Sequence, residues 1–575
     1  MKLKGIWSNF IGIALLAILA IACHDLNDDN TNKDNDARLE SLTIADKAVV
    51  LGSPGTSLDT AEPASLTLSF TEASGVMPVI VSKSKNAQAL YGKMKPGISN
   101  PAWKESGPLN LENGDYFVVS VRDGNSAALY YSVDITVPPP PPPPLALEDF
   151  RKKYITFADE IPVMSINTAG GVSVNGTSDN DYVNATISIT GSKQNNISNW
   201  AVTIRGRGNS TWGMPKKPYR IRGNSRNNLF DRERVRNWAL LANYADKSLM
   251  RNYIAHLLGR SLSSMEYIAN VIFTEVYFNG SYEGLYCLQD HQESGPSRVN
   301  IEGFTKDGNG NLVETGFLLE LDWPDRNPGS IRDRDYFSIS NLSNLSGRYF
   351  YLKYPKYDDD GFEDPVFFQQ AFNYVKNYVA AVHNAIDAHN MTAFENLCDK
   401  NTFIDYFLVK ELTKDVDGAQ LSVFFNKKIG EKMKMGPLWD FDLSCGNADY
   451  IDYSPQNWHV VRQYQNQQLP WFRRLMMHND FYESFRTRYL ELSETNIKYT
   501  IDSIDTIREL IRPAALRNFE RWQILNSDYF WPIPPPVLAI HTWDGQVNYV
   551  KNFLSQRNAW MYDQLYHRRP IPGVR

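Results

Sequence analysis

Hydrophobic and polar positions alternate in several stretches between residues 39 and 137. The stretch SLTLSF at 65–70 has period two, and so does DYFVVSVRDGNSAALYYSVDITV at 115–137. Such alternation places one face of a strand against a core. An Asp-Gly-Asn turn at 123–125 divides the longer stretch into two runs, which predicts a hairpin. Because no helical period occurs here, residues 39–137 predict an all-β domain, and we expect a small Ig-like β-sandwich.

Seven consecutive prolines at 138–144 interrupt this pattern. A proline run adopts the extended polyproline II helix, which rises about 3.1 Å per residue and acts as a semi-rigid spacer. The run therefore predicts a linker between two domains, with a ligand for a signalling domain as the alternative. For the β-domain itself the sequence leaves two roles open, a spacer or a binding module.

After the prolines the pattern changes, and residues 145–575 predict one large α+β domain. Its first half is typical of strands, with a hairpin turn at Asn279–Gly280. One helix is predicted there with Asp246 as its N-cap and four apolar residues on one face, Leu249, Tyr253, Leu257 and Leu258. The second half carries apolar residues at helical spacing, as in 364–388 and 401–414.

The first residues have the features of a secretory signal. Two lysines precede an apolar run at 11–21, which is too short to span a membrane, and Ala22 and Cys23 follow it. A cysteine directly after a small residue resembles the bacterial lipobox. The resemblance implies a signal peptide at 1–22 and lipidation of the Cys23 thiol. A plain signal peptide with an incidental cysteine is the alternative.

Residues 23–38 are acidic and polar and carry no core-forming side chains, so we expect a disordered tether. Its early acidic residues Asp25, Asp28 and Asp29 resemble the export signal of surface lipoproteins in Bacteroidetes-type bacteria. The resemblance implies an exported protein that is anchored to the outer membrane through lipidated Cys23 and exposed at the cell surface. A merely solvated leader is the alternative.

Composition narrows the class of protein. With 575 residues, of which 42% are hydrophobic, the chain has material for several globular domains. Its net charge of −6 argues against nucleic acid as a partner. The cysteines beyond Cys23 are scattered, at Cys287, Cys398 and Cys445, and this spacing indicates neither a disulfide framework nor a zinc site.

One locally basic segment, RGRGNSTWGMPKKPYRIRG at 205–223, departs from the acidic balance. Its glycines allow the backbone to approach a ligand closely. Its six basic residues suit an anionic ligand, most simply phosphate groups. They are Arg205, Arg207, Lys216, Lys217, Arg220 and Arg222. A solvated basic hairpin is the alternative.

Two further segments place carboxylates beside apolar residues. In ELTKDVDG, Asp417 follows a predicted helix, where a carboxylate is available as a general base or metal ligand. In GPLWDFDLSCGN, Asp440 and Asp442 follow what is predicted to be an apolar strand. A β-hairpin is predicted between the two segments, which brings Asp417 and Asp440 together. Neighbouring carboxylates call for a cation, so phosphate with Mg²⁺ is favoured over ordinary Asp-Gly turn chemistry.

Six segments occur in an order that closely resembles the CotH family, the spore-coat-protein-H-like atypical kinases. They are RGRGNSTWGMPKKPYRI, WALLANYADKSLMRNYIAHLL, VYFNGSYEGLYCLQDHQE, GFLLELD, ELTKDVDG and GPLWDFDLSCGN. The resemblance covers about residues 155–570. It implies an atypical protein-kinase-like fold for 145–575, which uses Mg²⁺ to transfer the γ-phosphoryl group of ATP to protein Ser or Thr, with autophosphorylation included.

The resemblance also assigns roles to residues. Asp417 matches the catalytic-loop aspartate that receives or orients the hydroxyl proton, and Asp440 matches a metal-binding aspartate. Asp442 is expected to be a second metal ligand. Trp439 is expected to pack near the nucleotide, with a buried core tryptophan as the alternative. Phosphate contacts are expected from the basic segment, with Lys217 and Arg220 preferred among Arg205, Arg207, Lys216, Lys217 and Arg220.

Several positions depart from kinase patterns. Where ordinary kinases have an Asn that holds a second Mg²⁺, this chain has Ser422, and Asn426 lies further along on a predicted strand. Gln289 stands where the family often carries Glu. In GFLLELD, Glu320 and Asp322 are candidate polar contacts, with strand-end structure as the alternative. The second metal site is therefore left open.

Two other functions also stay open. One is a catalytically weak or inactive kinase-like scaffold that binds glycans or proteins at the cell surface, where ATP is scarce; the β-domain, the proline rod and the 13 tryptophans suit it. The other is a glycoside hydrolase, since paired carboxylates also cleave sugars. A neutral polysaccharide would leave the basic segment without a charged partner, so the hydrolase is disfavoured.

Overall fold

A computed structural model describes residues 37–574 of the protein except for several short segments. The segments left out are 69–72, 74, 96–100, 125, 138–145, 156–160, 192–195, 228, 230–234, 324–334, 341, 343–344, 346, 463–468 and 528–531. The predicted signal peptide, Cys23, nearly all of the acidic tether and the proline run therefore lie outside the described residues. The chain divides into two compact units, Met1–Pro143 and Pro144–Arg575.

The first unit consists of strands in two sheets with one shared apolar core. Its strands are β1 (Leu39–Ile44), β2 (Lys47–Ala48), β3 (Pro63–Thr67), β4 (Val79–Ser82), β5 (Ala87–Met94), β6 (Asp115–Asp123) and β7 (Leu129–Thr136). The sheet orders are β2-β1-β4 and β3-β7-β6-β5. Leu42 and Ile44 of one sheet share a core with Phe117 and Val133 of the other.

The predicted hairpin of the first unit is confirmed. β6 and β7 pair antiparallel up to Val121 opposite Leu129, and the turn residue Gly124 has φ 50°. An Ig-like class for this unit stays a prediction.

The second unit begins with helix α1 (Leu147–Tyr154) and a closed seven-stranded barrel. The barrel strands are β8 (Val163–Thr168), β9 (Val183–Thr190), β10 (Ile197–Gly206), β11 (Tyr219–Asn227), β12 (Val235–Leu241), β13 (Val271–Phe278) and β14 (Ser281–Asp290). They follow the order β10-β11-β12-β14-β13-β8-β9. Alternate residues such as Ile204, Ile221 and Leu240 fill the barrel with a core of its own.

The outer face of the barrel packs against helix α2 (Arg251–Ser261). Phe273, Leu285 and Cys287 of β13 and β14 share a core with Tyr253 and Leu257 of α2. The predicted turn at Asn279–Gly280 joins β13 to β14, with φ 49° and 80° as a two-residue hairpin loop of this type requires.

Helix α2 begins at Arg251 and not at Asp246 as predicted. Asp246 accepts backbone N–H groups from Ser248 at 2.9 Å and Arg251 at 2.8 Å. Leu249 in between has φ 64°, a left-handed conformation that an α-helix cannot contain. Asp246 therefore closes a turn that precedes the helix.

A second sheet and a set of helices complete the unit. The strands are β15 (Phe304–Lys306), β16 (Leu312–Thr315), β17 (Phe317–Asp322), β18 (Tyr336–Phe337), β19 (Tyr349–Tyr354), β20 (Val423–Lys427) and β21 (Lys434–Met435). The helices are α3 (Pro365–Asp387), α4 (Met391–Leu397), α5 (Lys400–Leu412), α6 (Trp471–Met477), α7 (Asn479–Ser493), α8 (Asn496–Asp502), α9 (Ile504–Arg521), α10 (Pro535–Leu538) and α11 (Trp543–Tyr566).

The second sheet has the order β18-β19-β17-β20-β21, and β15 pairs with β16. Strands come mostly before the helices, so the predicted mixture of sheets and helices is confirmed. Among the described residues, no helix is both long enough and apolar enough to cross a bilayer. Cys287, Cys398 and Cys445 are buried free thiols.

Candidate functional site

A cavity of about 610 Å³ in the second unit collects most of the predicted acidic residues. Its lining includes Asp417, Asp440, Asp442 and Trp439, together with Arg207. The loop after β10, the end of β17, the start of α2 and the segments after α5 and β21 all contribute to its wall. The two segments that carry the aspartates therefore meet in space, as the sequence predicts.

The loop that carries Asp417 begins where α5 ends at Leu412. Asp417 accepts a hydrogen bond from Nε2 of Gln420 at 3.2 Å. Burial raises the pKa of Asp417 to about 8, with further increases from Asp415 and Asp440. Asp415, by contrast, is buried with its carboxylate on the Nζ of Lys410. Of the two aspartates in this loop, Asp417 is the one on the cavity.

The segment that carries Asp440 and Asp442 is not a strand, which corrects the sequence prediction. Strand β21 ends at Met435 because Gly436 leads into Pro437, which has no N–H for a sheet ladder. Asp440 then takes φ 64° and is exposed. Burial and the neighbouring Asp440 raise the pKa of Asp442 well above its usual value.

The residues after Asp442 hold this segment in place. Asn447 donates from Nδ2 to the carbonyl of Asp442 at 2.8 Å and to that of Ala245 at 2.9 Å. Gly446 has φ 71°, and a Cβ there would lie 2.6 Å from the hydroxyl of Tyr549. The Gly-Asn pair is therefore required by the turn and not by a ligand.

The glycine-containing loop 207–214 forms another wall of the cavity. Gly208 has φ 82°, and a Cβ there would lie 2.1 Å from Oγ1 of Thr211. A short 3-10 turn, Ser210–Gly213, follows it. Gly208, Asn209 and Ser210 line the cavity.

The structure separates the five predicted phosphate contacts. Arg207 lines the cavity, with its guanidinium 5.2 Å from the ring centroid of Trp439. Lys216 also borders the cavity, but its Nζ is directed to the carbonyl of Leu285 at 2.5 Å and to Asn518 at 2.8 Å.

The remaining three lie elsewhere. Arg205 bonds the carbonyl of Thr177 and lies 3.4 Å from Asp179. Lys217 donates to the carbonyl of Trp212 at 2.7 Å. Arg220 pairs across the sheet with Arg205. None of the three is among the described residues that line the cavity, whereas Arg207 does line it.

Trp439 is 7% exposed, so it is both a buried tryptophan and part of the cavity wall. The ring of His291 stacks on it at 6.5 Å between centroids. The buried tryptophan of the sequence analysis is thus observed, and packing of Trp439 near a nucleotide stays a prediction.

The structure also shows where the residues lie that depart from kinase patterns. Ser422 lines the cavity, whereas Asn426 is buried and donates to the carbonyl of Gly436 at 3.0 Å. Gln289 is fully buried in β14 and is not among the described residues on the cavity. Glu320 and Asp322 do line it. Burial and Glu320 raise the pKa of Asp322 to about 7.

Sequence reasoning missed several residues of the site. Asn252 of α2 lines the cavity and accepts the N–H of Phe441 at 2.8 Å, so it fixes the Asp440 segment. Trp323 and Tyr450 line the cavity and are 45% and 46% exposed. The only signal for Trp323 in the sequence is its position directly after the carboxylates of GFLLELD.

Comparison with known families gives a specific match. The family model described as CotH kinase protein matches residues 204–561, which is more than half of the chain. The match spans the loop 207–214 and all four cavity aspartates, Asp322, Asp417, Asp440 and Asp442. No curated protein matches the chain.

Proposed function

The chain belongs to the CotH kinase family, and from that premise we propose that its second unit is a Mg²⁺-dependent protein kinase with ATP as phosphoryl donor. The acceptor is the hydroxyl of a protein Ser or Thr. One observation carries the proposal: Asp417, Asp440 and Asp442 share one cavity with Arg207. Phosphoryl transfer needs a group that orients the hydroxyl, carboxylates for a metal and a cation for phosphate.

Asp417 is the proposed base. The acceptor oxygen forms a bond to the γ-phosphorus while the bond from that phosphorus to the β–γ bridging oxygen breaks, and ADP leaves. The hydroxyl proton passes to the carboxylate of Asp417. A carboxylate with a pKa near the working pH suits this task, and the pKa of Asp417 is raised to about 8.

Asp440 and Asp442 are the proposed metal ligands. Among the described residues, no group of three carboxylate, His or Cys side chains is arranged to hold a metal ion. Mg²⁺ needs no such cage, because one or two carboxylates together with substrate phosphates and waters complete its shell. Burial and the neighbouring Asp440 raise the pKa of Asp442, and a bound cation would favour the ionised carboxylate. When bound, Mg²⁺ would neutralise charge on the β- and γ-phosphates.

Arg207 and the backbone of 208–211 are proposed to bind the phosphates. Arg207 has the favourable position, since its side chain lies on the cavity and over Trp439. Arg205, Lys217 and Lys216 are each directed to partners within the protein. Their role is then to hold the loop and the barrel.

Calorimetry of ATP binding to the intact protein, with and without Mg²⁺, tests the function. We expect Mg²⁺-dependent binding that Asp440→Ala abolishes, whereas Asp417→Ala binds nucleotide but does not transfer. An absence of binding at millimolar ATP would exclude the kinase.

A kinase-like scaffold with weak or no transfer is the second candidate, and Ser422 favours it. This residue lies on the cavity where ordinary kinases carry a metal-binding Asn, and Asn426 is engaged with Gly436. The same calorimetry separates the candidates, because a scaffold would bind glycan or protein partners without nucleotide.

The proposed site of action is the outer membrane, with the protein exported and anchored through lipidated Cys23. The motif around Cys23 and the acidic residues after it support the proposal. Metabolic labelling with a fatty acid tests it, and Cys23→Ser should abolish the label.

A further inference from the structure

An exposed tryptophan stands on the cavity beside the proposed base. Trp323 directly follows β17, is 45% exposed and lines the same cavity as Asp417 and Asp322. Tryptophan is the side chain most enriched among binding anchors, because a large apolar area is removed from water when it is covered. Its exposure here indicates a contact with something that enters the cavity.

One face of the Trp323 ring is in contact with other residues of the protein. The guanidinium carbon of Arg348, a buried residue, lies 4.4 Å from the centroid of the ring. A Cβ on the preceding residue Gly347 would lie 3.3 Å from the same ring. One face of the indole is thus supported by protein, which pre-organises the ring for a partner on the cavity side.

Hydrogen bonds connect Arg348, which covers one face of the ring, to the proposed base Asp417 through Gln420. Nη2 of Arg348 donates to Oε1 of Gln420 at 3.1 Å. Nε2 of Gln420 donates to Oδ1 of Asp417 at 3.2 Å and to the carbonyl of Val416 at 3.0 Å. A continuous row of side chains therefore runs from the tryptophan to the carboxylate, so a group on the ring lies near a hydroxyl at Asp417.

Two carboxylates, Glu320 and Asp322, line the cavity and lie near Trp323 in the sequence, in addition to the Arg348 guanidinium on one face of the ring. Asp322 accepts the backbone N–H of Trp323 at 2.7 Å, which fixes its carboxylate at the end of β17. Its neighbour Glu320 is already paired with Lys353 at 2.8 Å. Burial and Glu320 raise the pKa of Asp322 to about 7, so a cation that approached this carboxylate would favour its ionised form.

We propose that Trp323 and Asp322 form an acceptor subsite for a lysine or arginine side chain next to the Ser or Thr that is phosphorylated. This rests on the proposed kinase function. A cation over an indole face gains about 0.5–2 kcal/mol, and Asp322 adds an ion pair. An acidic side chain would meet like charge there, and a neutral sugar would use the ring alone. The subsite therefore selects basic protein segments as acceptors.

Transfer to three peptides tests the subsite. Each peptide has one central Ser, flanked by Arg, Leu or Glu in an otherwise identical alanine background. For the intact protein we expect kcat/KM to be at least about tenfold higher with Arg than with Glu, which corresponds to about 1.4 kcal/mol. Trp323→Ala should lower kcat/KM about tenfold for the Arg peptide and less than about threefold for the Leu peptide, with KM for ATP unchanged.

Two variants control this comparison. Trp323→Phe keeps an aromatic face and should retain most of the preference for Arg. Tyr566→Ala removes an aromatic residue that is 54% exposed and lies outside the cavity, and it should leave all three peptides unaffected. Asp322→Asn should reduce the preference for Arg over Leu, and the thermal midpoint of each variant reports its folding.

Equal losses for all three peptides in Trp323→Ala would overturn the subsite while the kinase function stands. Transfer to maltooligosaccharides in place of peptides would overturn it too. If the intact protein binds no ATP, the function itself fails. The subsite is then judged by calorimetry with the same peptides carrying Ala for Ser, where equal affinity for the Arg and Glu peptides overturns it.

Discussion

Lys410 and Asp415 form a buried ion pair beneath the cavity, with 2.6 Å between Nζ and Oδ2. The same Nζ donates to the carbonyl of Trp439 at 2.9 Å and lies 4.1 Å from the ring centroid of Phe441. Burial lowers the pKa of Lys410, but Asp415, Tyr406 and Asp440 together outweigh burial and the net pKa is raised. Lys410 therefore joins the loop of Asp417 to the segment of Asp440.

Replacing Lys410 should be strongly destabilising. Lys410→Met leaves the Asp415 carboxylate buried without its cation, which costs about 3–5 kcal/mol, whereas removing both charges is often close to neutral. We expect a marked fall in the thermal midpoint for Lys410→Met and a large recovery in Lys410→Met/Asp415→Leu. Lys434→Met is the control, because Lys434 pairs with the partly exposed Glu431. This substitution should lower the free energy of unfolding by about 1 kcal/mol or less. An unchanged midpoint for Lys410→Met would contradict the bridging role.

Substitutions of Asp417 and Asp440 should separate nucleotide binding from phosphoryl transfer. Asp417→Asn removes the proton acceptor and should lower kcat at least about 100-fold, with the affinity for Mg²⁺ and ATP retained. Asp440→Asn should instead remove the Mg²⁺ dependence of ATP binding. Asp449→Asn is the matched control, since this exposed aspartate lies outside the cavity. Calorimetry and single-turnover transfer measure the two effects, and equal loss of binding in both variants would refute the division of roles.

Local signals in the sequence were sufficient for part of the fold. Asn279–Gly280 sets its own turn, because both residues take the positive φ that the hairpin requires. Alternation along β6 and β10 likewise predicts a buried face from neighbouring residues alone. The predicted start of α2 was wrong because the sequence has no local signal for the turn that precedes the helix. Asp246 caps this turn, and its left-handed residue is Leu249, although leucine is not typical of that conformation.

The aspartates of the site were predictable, and the cations were not. A hairpin between Asp417 and Asp440 is a local feature, so the sequence placed both carboxylates together. Which basic side chain faces the cavity depends on distant partners, such as Asn518 for Lys216. The role of Lys410 could not be predicted from the sequence either, because its contacts with Trp439 and Phe441 form only in the folded chain.

Two arginines separated by a single residue should differ in nucleotide binding. Arg207 lies on the cavity, whereas Arg205 is directed to Thr177 and Asp179. A charged hydrogen bond contributes about 1.5–3 kcal/mol, so Arg207→Ala should weaken binding of ATP with Mg²⁺ by about tenfold or more. Arg205→Ala should change it less than about threefold. Equal losses, measured by calorimetry at one ionic strength, would show that the whole basic segment acts only through its summed charge.

Lys216 should make stability depend on pH in a predictable direction. Burial lowers the pKa of Lys216 from 10.5 to about 7. Between these values the unfolded chain binds more protons than the folded one, so the free energy of unfolding rises with pH, by about 1.4 kcal/mol per unit at most. Lys216→Met removes this contribution. The difference in urea midpoint between variant and wild type should therefore be largest, in favour of the variant, near pH 7 and shrink toward pH 10.

The neighbouring lysine supplies the control for this experiment. Lys217→Met makes the same chemical change at a half-buried position whose Nζ donates to the carbonyl of Trp212, and the same pH series for this variant is the baseline against which the Lys216→Met difference is compared. Groups that titrate in both proteins cancel in each difference, so the slope isolates one lysine. Parallel curves for Lys216→Met and wild type would mean that the Lys216 ammonium keeps its charge in the folded barrel, held by Leu285 and Asn518 strongly enough to offset its burial.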